Sequence, residues 1–581
     1  MEDKKQKLAI LSDSGPALIL AGPGSGKTTV LTHHIKHLID NGVSPDKILV
    51  ITFTRKAAYE MKSRFENLSP TAAYQTVFGT FHSIFFKILK SFDKKERQLV
   101  SSEEREEFLL TYTGDVAYAE YYGNRISFYK SLHDKKECRF VNDTERDEFM
   151  NVFSEYNKWL KSVKKIDYDD IIEECHRLLC SDKKAVQYLN EKFSHILVDE
   201  FQDINSIQYE TLKMIAGKKG IIFAVGDEDQ SIYGFRGATP DIMKRFVNDY
   251  SNVTVINLNR NYRSFQDISD FSQKIIVSNP GRLRTAIPVC YKSDNGSHVH
   301  LRVLGERKEE IDAFCRDIVR YSADGKSMAC LLRTNKEVAE FKRLLITDVN
   351  DENTLKASVI DDLIVFADYI LTRNMGSLKR MISLCIPGIP SAMLKDCESL
   401  PALKRKLAGS AKGDAVSVFE TKLNVLKGLN PYSFLLYLKN VVCLFAIHEA
   451  RGGFVSAEKI AEIYDEIIEV SKGYKGIKEF KEELSRIRPS DKSITSKKNA
   501  NLLVTTFHQS KGLEFDYVFI PDVVEGKVPA NMSVAECRVE EERRLFYVAL
   551  TRAREELFVY TIKNEESGGT LPSRFLEKPV Y

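Results

Sequence analysis

The chain has 581 residues, of which 43% are hydrophobic and 29% charged, and it carries a net charge of +3. At about 150 residues per domain this length supports about four domain-sized units with ordinary buried cores. The near-balanced charge excludes a globally basic nucleic-acid binder and requires any basic groove to be local. The N-terminal stretch lacks an apolar core with a small-residue cleavage site, and no apolar run approaches the about 20 residues of a membrane helix. The ten cysteines are scattered without a C-x-x-C pair. A cytoplasmic protein with no membrane association, no zinc ribbon, no iron–sulfur cluster and no structural metal is therefore expected.

In chain order, short aliphatic runs followed by turn residues and helical patterning occur at Ala17–Ala21, Lys47–Phe53, His195–Val198, Ile221–Val225 and Tyr517–Pro521. Runs of this length alternating with helices predict buried parallel strands in α/β layers. They fall in two groups, one before residue 260 and one over roughly 298–350 and 500–565. Residues 84–190 and 355–498 instead carry amphipathic helical patterning, as in Arg105–Tyr112 and Ala457–Val470. Two α/β lobes, each with a mostly helical insertion, are expected. The polar, Pro-containing stretch Arg488–Asn501 reads as a linker into the second lobe.

Residues 21–28 read AGPGSGKT directly after the run ALIL and before a helical pattern. Here Ala21 stands first, and Gly22, Pro23, Gly24, Ser25 and Gly26 form a loop whose backbone N–H groups can cradle phosphates. Lys27 can reach the β- and γ-phosphates, Thr28 can offer a hydroxyl to Mg²⁺, and Thr29 continues the loop into the helix. This predicts nucleoside triphosphate binding but not a reaction. ILVDEFQD at 196–203 supplies the chemistry. A strand there delivers two adjacent carboxylates that point to opposite sides. Asp199 can hold Mg²⁺ through water, and Glu200 can orient and deprotonate the attacking water.

With DEFQD added, the chain closely resembles superfamily 1A helicases of the UvrD/Rep/PcrA group, in an ordered set of segments spanning nearly its whole length. Gln6 matches the glutamine that reads adenine in that family, although the usual Leu-Asn before it is missing. ITFTRKAAYEMKSR at 51–64, GTFHS at 79–83, VGDEDQSIYGFRGA at 225–238, LNRNYRS at 258–264, TTFHQSKGLEFDYVFI at 505–520 and EEERRLFYVALTRARE at 540–555 follow in the family's order. The resemblance implies two RecA-like lobes: 1–83 with 191–257, and 258–354 with 499–581. Helical insertions 84–190 and 355–498 would interrupt them, the second shortened or divergent. It also implies ATP and Mg²⁺ as cofactors. Gln230 would sense the γ-phosphate, Tyr262 stack on adenine, Arg263 contact the γ-phosphate, Glu514 meet the ribose, and Arg552 act as arginine finger. Outside this context Arg263 and Arg552 read as ordinary salt-bridge arginines and Tyr262 as a core tyrosine.

The same resemblance nominates Phe53, Arg55, His82, Tyr233 and Phe235 for DNA contact. Aromatic faces stack on any base, which suits a strand-tracking motor. Phe53 also reads as core and Arg55 as a salt-bridge partner. Lys158–Lys165, with the only Trp, reads either as a duplex contact or as a solvated helix face. The expected partners are single-stranded DNA and its junctions with duplex. The expected activity is 3′–5′ translocation and unwinding in repair, replication or recombination. An alternative is a translocase subunit of a nuclease or anti-phage complex, whose nuclease or repair partner would be a separate chain. A catalytically dead scaffold is disfavoured by intact Lys27, Asp199, Glu200, Arg263 and Arg552.

Overall fold

The computed structural model describes residues 3–581 apart from 94, 295, 323, 349–351, 387–388, 390–393, 395–398, 408–410, 453–456, 490–501, 532–537, 564–570 and 577–581. Most of the expected linker, together with Cys397 and Cys537, lies outside the described residues. The chain divides into two compact units, one of 1–302 with 507–581 and one of 303–506.

The first unit is built on a six-stranded sheet. Its spatial order is Val77–Thr80, Ile48–Thr52, His195–Val198, Ile221–Gly226, Ala17–Ala21 and Thr254–Leu258. All neighbouring strands pair in parallel. Most of these strands are buried on both faces, as continuous aliphatic runs require. Because every pairing is parallel, each connection must cross over, and helices return the chain across the faces. The functional loops then gather where Ala17–Ala21 and His195–Val198 end side by side with Ile221–Gly226. The remaining strands of this unit include the parallel pair Phe515–Ile520 and Ala553–Ile562. The fold is α/β with parallel sheets, as the aliphatic runs predict.

Five helices lie between 102 and 192, beginning with Ser102–Thr113. Those from Tyr168 to Lys192 pack Ile171, Cys175, Leu179 and Leu189 onto the sheet. Those from Ser102 to Ser162 close a smaller core of Leu109, Ile126, Phe149, Val152, Tyr156 and Leu160. Trp159 stacks on Phe108 at 4.6 Å between ring centres, while Lys158 pairs with Glu155 and Lys165 with Glu104. The tryptophan of that lysine-rich stretch is therefore packed into its own bundle. The second unit places the parallel strands Met328–Leu332 and Leu502–Thr506 beside a largely helical array from Glu352 to Ile487. That array shares one apolar core, centred on residues such as Phe366, Leu403, Phe434 and Tyr464. No described helix is long and apolar enough to cross a membrane.

Lys130 is 1% exposed and bonds Asp167 Oδ2 at 2.8 Å and Asp170 Oδ1 at 2.6 Å, while the Tyr156 hydroxyl donates to Asp167 at 3.0 Å. Burial pushes Asp170 up to about 6 despite the lysine. Removing this cation deprives Asp167 and Asp170 of their hydrogen-bonded counter-ion. Lys130→Met is expected to lower unfolding free energy at pH 7.5 by about 3–5 kcal/mol. The deficit should shrink toward pH 5, where the carboxylates can take up protons. Urea unfolding at both pH values checks this.

Candidate active site

The strand Ala17–Ala21 runs straight into the glycine-rich loop and then the helix Lys27–Asp40. Gly24 and Gly26 hold φ of 68° and 81°, a region that L side chains rarely adopt. A Cβ on Gly24 would collide with Asn261 Oδ1 and Arg263 Cβ, and one on Gly22 with the Arg284 guanidinium. The loop itself is braced by Ser25 Oγ donating to Gly22 O at 2.7 Å. Gln6, on the helix Lys4–Ile10, donates from Nε2 to Ser25 O at 2.8 Å. Pro23 lies beside Asn261, Ser264 and Thr551. Ala21 is buried at the strand end, whereas Thr28 is half-buried and Thr29 exposed at the start of the helix.

At the end of His195–Val198 the chain turns sharply, with Glu200 at φ 51°. Asp199 Oδ1 accepts from Glu200 N at 3.0 Å, and Glu200 lies 3.7 Å from Lys27 Nζ. Burial and its neighbour Glu200 push Asp199 up to about 7. Burial opposes ionisation of Glu200 as well, but Lys27 and Lys511 outweigh it and hold Glu200 well below the usual carboxylate range. Lys27 Nζ is buried and makes no hydrogen bond among the described residues. A buried ammonium with an ion-pair neighbour but no hydrogen-bond acceptor among the described residues, beside glycines that leave no room for side chains, fits a polyphosphate. Thr28 and Asp199 are hard oxygen donors of the type Mg²⁺ takes.

Gln230 is 3% exposed; its Nε2 donates to Asp227 Oδ2 at 2.7 Å, and its Oε1 accepts from Arg552 at 3.1 Å. Arg552 is 2% exposed, and burial with the nearby Arg263 charge pushes it down to about 9, so it remains a cation at neutral pH. Tyr262 N donates to Gly24 O at 2.9 Å, which seats the strand Arg260–Phe265 against the phosphate loop. Arg263 extends to Glu514 Oε2 at 2.7 Å and Thr551 O at 2.9 Å. Glu514 also pairs with Arg554, and the two arginines hold it down to about 2 against burial. The structure thus brings together Lys27, Glu200, Gln230, Arg263 and Arg552, with Glu514 as counter-ion to Arg263.

A second cluster lies on the loop after Gln230. Phe53 and Tyr233 stack at 4.8 Å, Tyr233 and Phe235 meet at 6.1 Å, and Phe235 meets His508 edge-on at 6.0 Å. Arg236 lies over Tyr233 and Phe235. All four rings are half-buried, so Phe53 forms part of the row and is not sealed in the core. His82 packs edge-on against Tyr168 at 6.0 Å, and burial lowers its pKa, which favours the neutral ring. Arg55 is exposed at the first turn of the helix Arg55–Leu68 and has no ion pair among the described residues.

Residues 2–251 match the model of the UvrD/REP helicase N-terminal domain, and residues 403–564 match that of the UvrD-like helicase C-terminal domain. The chain belongs to the UvrD/Rep/PcrA family of ATP-dependent DNA helicases. Relatives include PcrA of Staphylococcus aureus strain MRSA252, 29% identical over 99% of this chain and 85% of that protein. PcrA of Staphylococcus epidermidis is also 29% identical, over 99% of the chain and 86% of its own length. YjcD of Bacillus subtilis strain 168 is 28% identical over 98% of the chain and 80% of its length.

The helicase contains site residues that the motif reading passed over. Lys511 bonds Asp203 and donates to Gln230 O at 2.7 Å, while lying over the Tyr233 ring at 5.1 Å. Both Lys511 and His508 sit inside TTFHQSKGLEF, so their motif pointed to them. Arg284 sits in no such segment. It is 2% exposed and reaches Asp229 Oδ2 at 2.9 Å, Asp227 at 3.4 Å and the Tyr547 hydroxyl at 2.8 Å. Only the folded chain reveals it beside Gly22. In this helicase Gly24→Ala forces an L residue into left-handed backbone at about 1–2 kcal/mol and pushes Asn261 and Arg263 away. The ATPase rate is expected to fall more than about tenfold with an unchanged circular dichroism spectrum, measured at saturating single-stranded DNA.

Proposed function

We propose that the chain is a 3′–5′ single-stranded DNA translocase and helicase, cytoplasmic, that separates strands during DNA repair, replication or recombination. Its lobes are read as 1–83 with 191–257 and 258–354 with 499–581, and its insertions as 84–190 and 355–498. The observation that carries the reading is the 3.1 Å contact of Arg552 with Gln230. It ties the last of the family segments to the loop that bears Tyr233 and Phe235. A triphosphate held at Lys27 would meet Gln230, Arg263 and Arg552 at its γ end. Gln6 and Tyr262 would face the base.

Glu200, held ionised by Lys27 and Lys511, accepts a proton from the attacking water. The water oxygen bonds to the γ-phosphorus, the bond to the β–γ bridging oxygen breaks, and ADP and phosphate leave. Arg263 and Arg552 stabilise the charge spread over the transferred group, an effect worth about 10³–10⁵ in rate for an arginine finger. When bound at Thr28 and Asp199, Mg²⁺ neutralises phosphate charge. Because the arginines and Lys27 come from opposite lobes in this reading, hydrolysis depends on lobe closure, and closure moves the aromatic row. Opening a base-pair step costs about 1.4 kcal/mol of stacking, small enough for one ATP.

Glu200→Gln is expected to abolish turnover while sparing ATP binding, read by single-turnover hydrolysis and nucleotide titration. Phe235→Ala should weaken single-stranded DNA binding by about 1–3 kcal/mol. Strand displacement on 3′-tailed and 5′-tailed duplexes tests the rest. Unwinding from the 5′ tail alone overturns the polarity, and an ATPase indifferent to DNA overturns the motor.

A further inference from the structure

The Asp3 carboxylate does two jobs with two oxygens. Oδ1 accepts from Lys5 N at 2.9 Å and Gln6 N at 3.3 Å, capping the helix Lys4–Ile10. Oδ2 accepts the Tyr262 hydroxyl at 3.0 Å, from a residue 259 positions away. The helix that Asp3 caps is the one whose Gln6 reaches Ser25 O, and the strand bearing Tyr262 is the one whose backbone reaches Gly24 O. Helix, glycine loop and strand therefore form three sides of one recess, and the Asp3–Tyr262 bond joins its two outer sides. The Tyr262 ring is further fixed by Tyr291 at 5.7 Å, with the Arg260 guanidinium over both rings at 5.7 and 5.3 Å.

We propose that Asp3 is a positioning residue for the nucleotide base: its bond to Tyr262 latches the rim of the base recess and holds the ring at the stacking angle. The inference rests on the reading that Tyr262 and Gln6 face the base, and it gives a role to Asp3, three residues before Gln6. A latch at the rim acts on the base end of the ligand and not on the phosphates. It preorganises the ring, so its loss appears as weaker nucleotide binding with the chemical step untouched.

Asp3→Asn separates the two jobs. The asparagine carbonyl still caps the helix, while its amide nitrogen cannot accept the tyrosine proton and offers the phenol oxygen only a weaker, neutral bond. The measurements are KM for ATP and kcat of the DNA-stimulated ATPase, together with Ki of inorganic tripolyphosphate as a base-free competitor. Asp3→Asn is expected to raise KM about fivefold, the scale of one lost hydrogen bond to a charged, partly exposed group. Its kcat and the tripolyphosphate Ki should not move. Tyr262→Phe should raise KM by a similar factor, and the double variant should add nothing further. An unchanged KM in Tyr262→Phe, which keeps the ring and removes the bond, overturns the latch. So does a matching rise in the tripolyphosphate Ki, which would mean that the helix merely supports the phosphate loop. Wild-type enzyme that binds adenine, guanine and base-free triphosphates equally would overturn the base reading itself, and the latch with it.

Discussion

Holding three cations around one phosphate loop is the constraint on which the first unit depends. Lys27, Arg263 and Arg552 are each at most 15% exposed, and Arg263 and Arg552 raise one another's cost of ionisation. Desolvated like charges are tolerated only where carboxylates and carbonyls meet them. Glu200 faces Lys27, Glu514 faces Arg263, and the carbonyls of Val548 and Leu513 accept from Arg552. A ligand with several negative charges relieves this tension, so the site binds it in proportion to the strain it removes.

The same logic explains the acidic turn beside it. Asp227, Glu228 and Asp229 are all buried, an arrangement that would be costly alone. Arg282 and Arg284 neutralise it, with Arg284 also lying against Gly22. Asp227 in turn holds the Gln230 amide, which orients Gln230 Oε1 toward Arg552. A buried ion cluster thus sets the direction of one neutral side chain at the seam.

From that side chain the path to the aromatic row is short. Lys511 touches the Gln230 carbonyl, the Asp203 carboxylate and the Tyr233 ring. Arg544 donates to Ser231 O at 2.9 Å, and Glu541 accepts from Gly234 N at 2.8 Å. The loop that presents Tyr233 and Phe235 is therefore gripped at four points by residues from 511–552.

The sequence alone determined the elements whose physics is local. Continuous aliphatic runs mark the buried strands, glycines at 22, 24 and 26 mark the loop, and paired carboxylates mark the end of His195–Val198. Ordered family segments then nominated Gln230, Tyr262, Arg263 and Arg552. Their mutual contacts were beyond such a reading, because each joins residues tens to hundreds of positions apart. Arg284 carries no local signal and becomes a site residue only when the loop at 282–284 folds back on the glycines. Asp3 reads as a helix cap, and its second oxygen acquires a role only because Tyr262 arrives from residue 262. Glu514, expected at a ribose, also pairs with Arg263 and Arg554, contacts that only three-dimensional proximity decides.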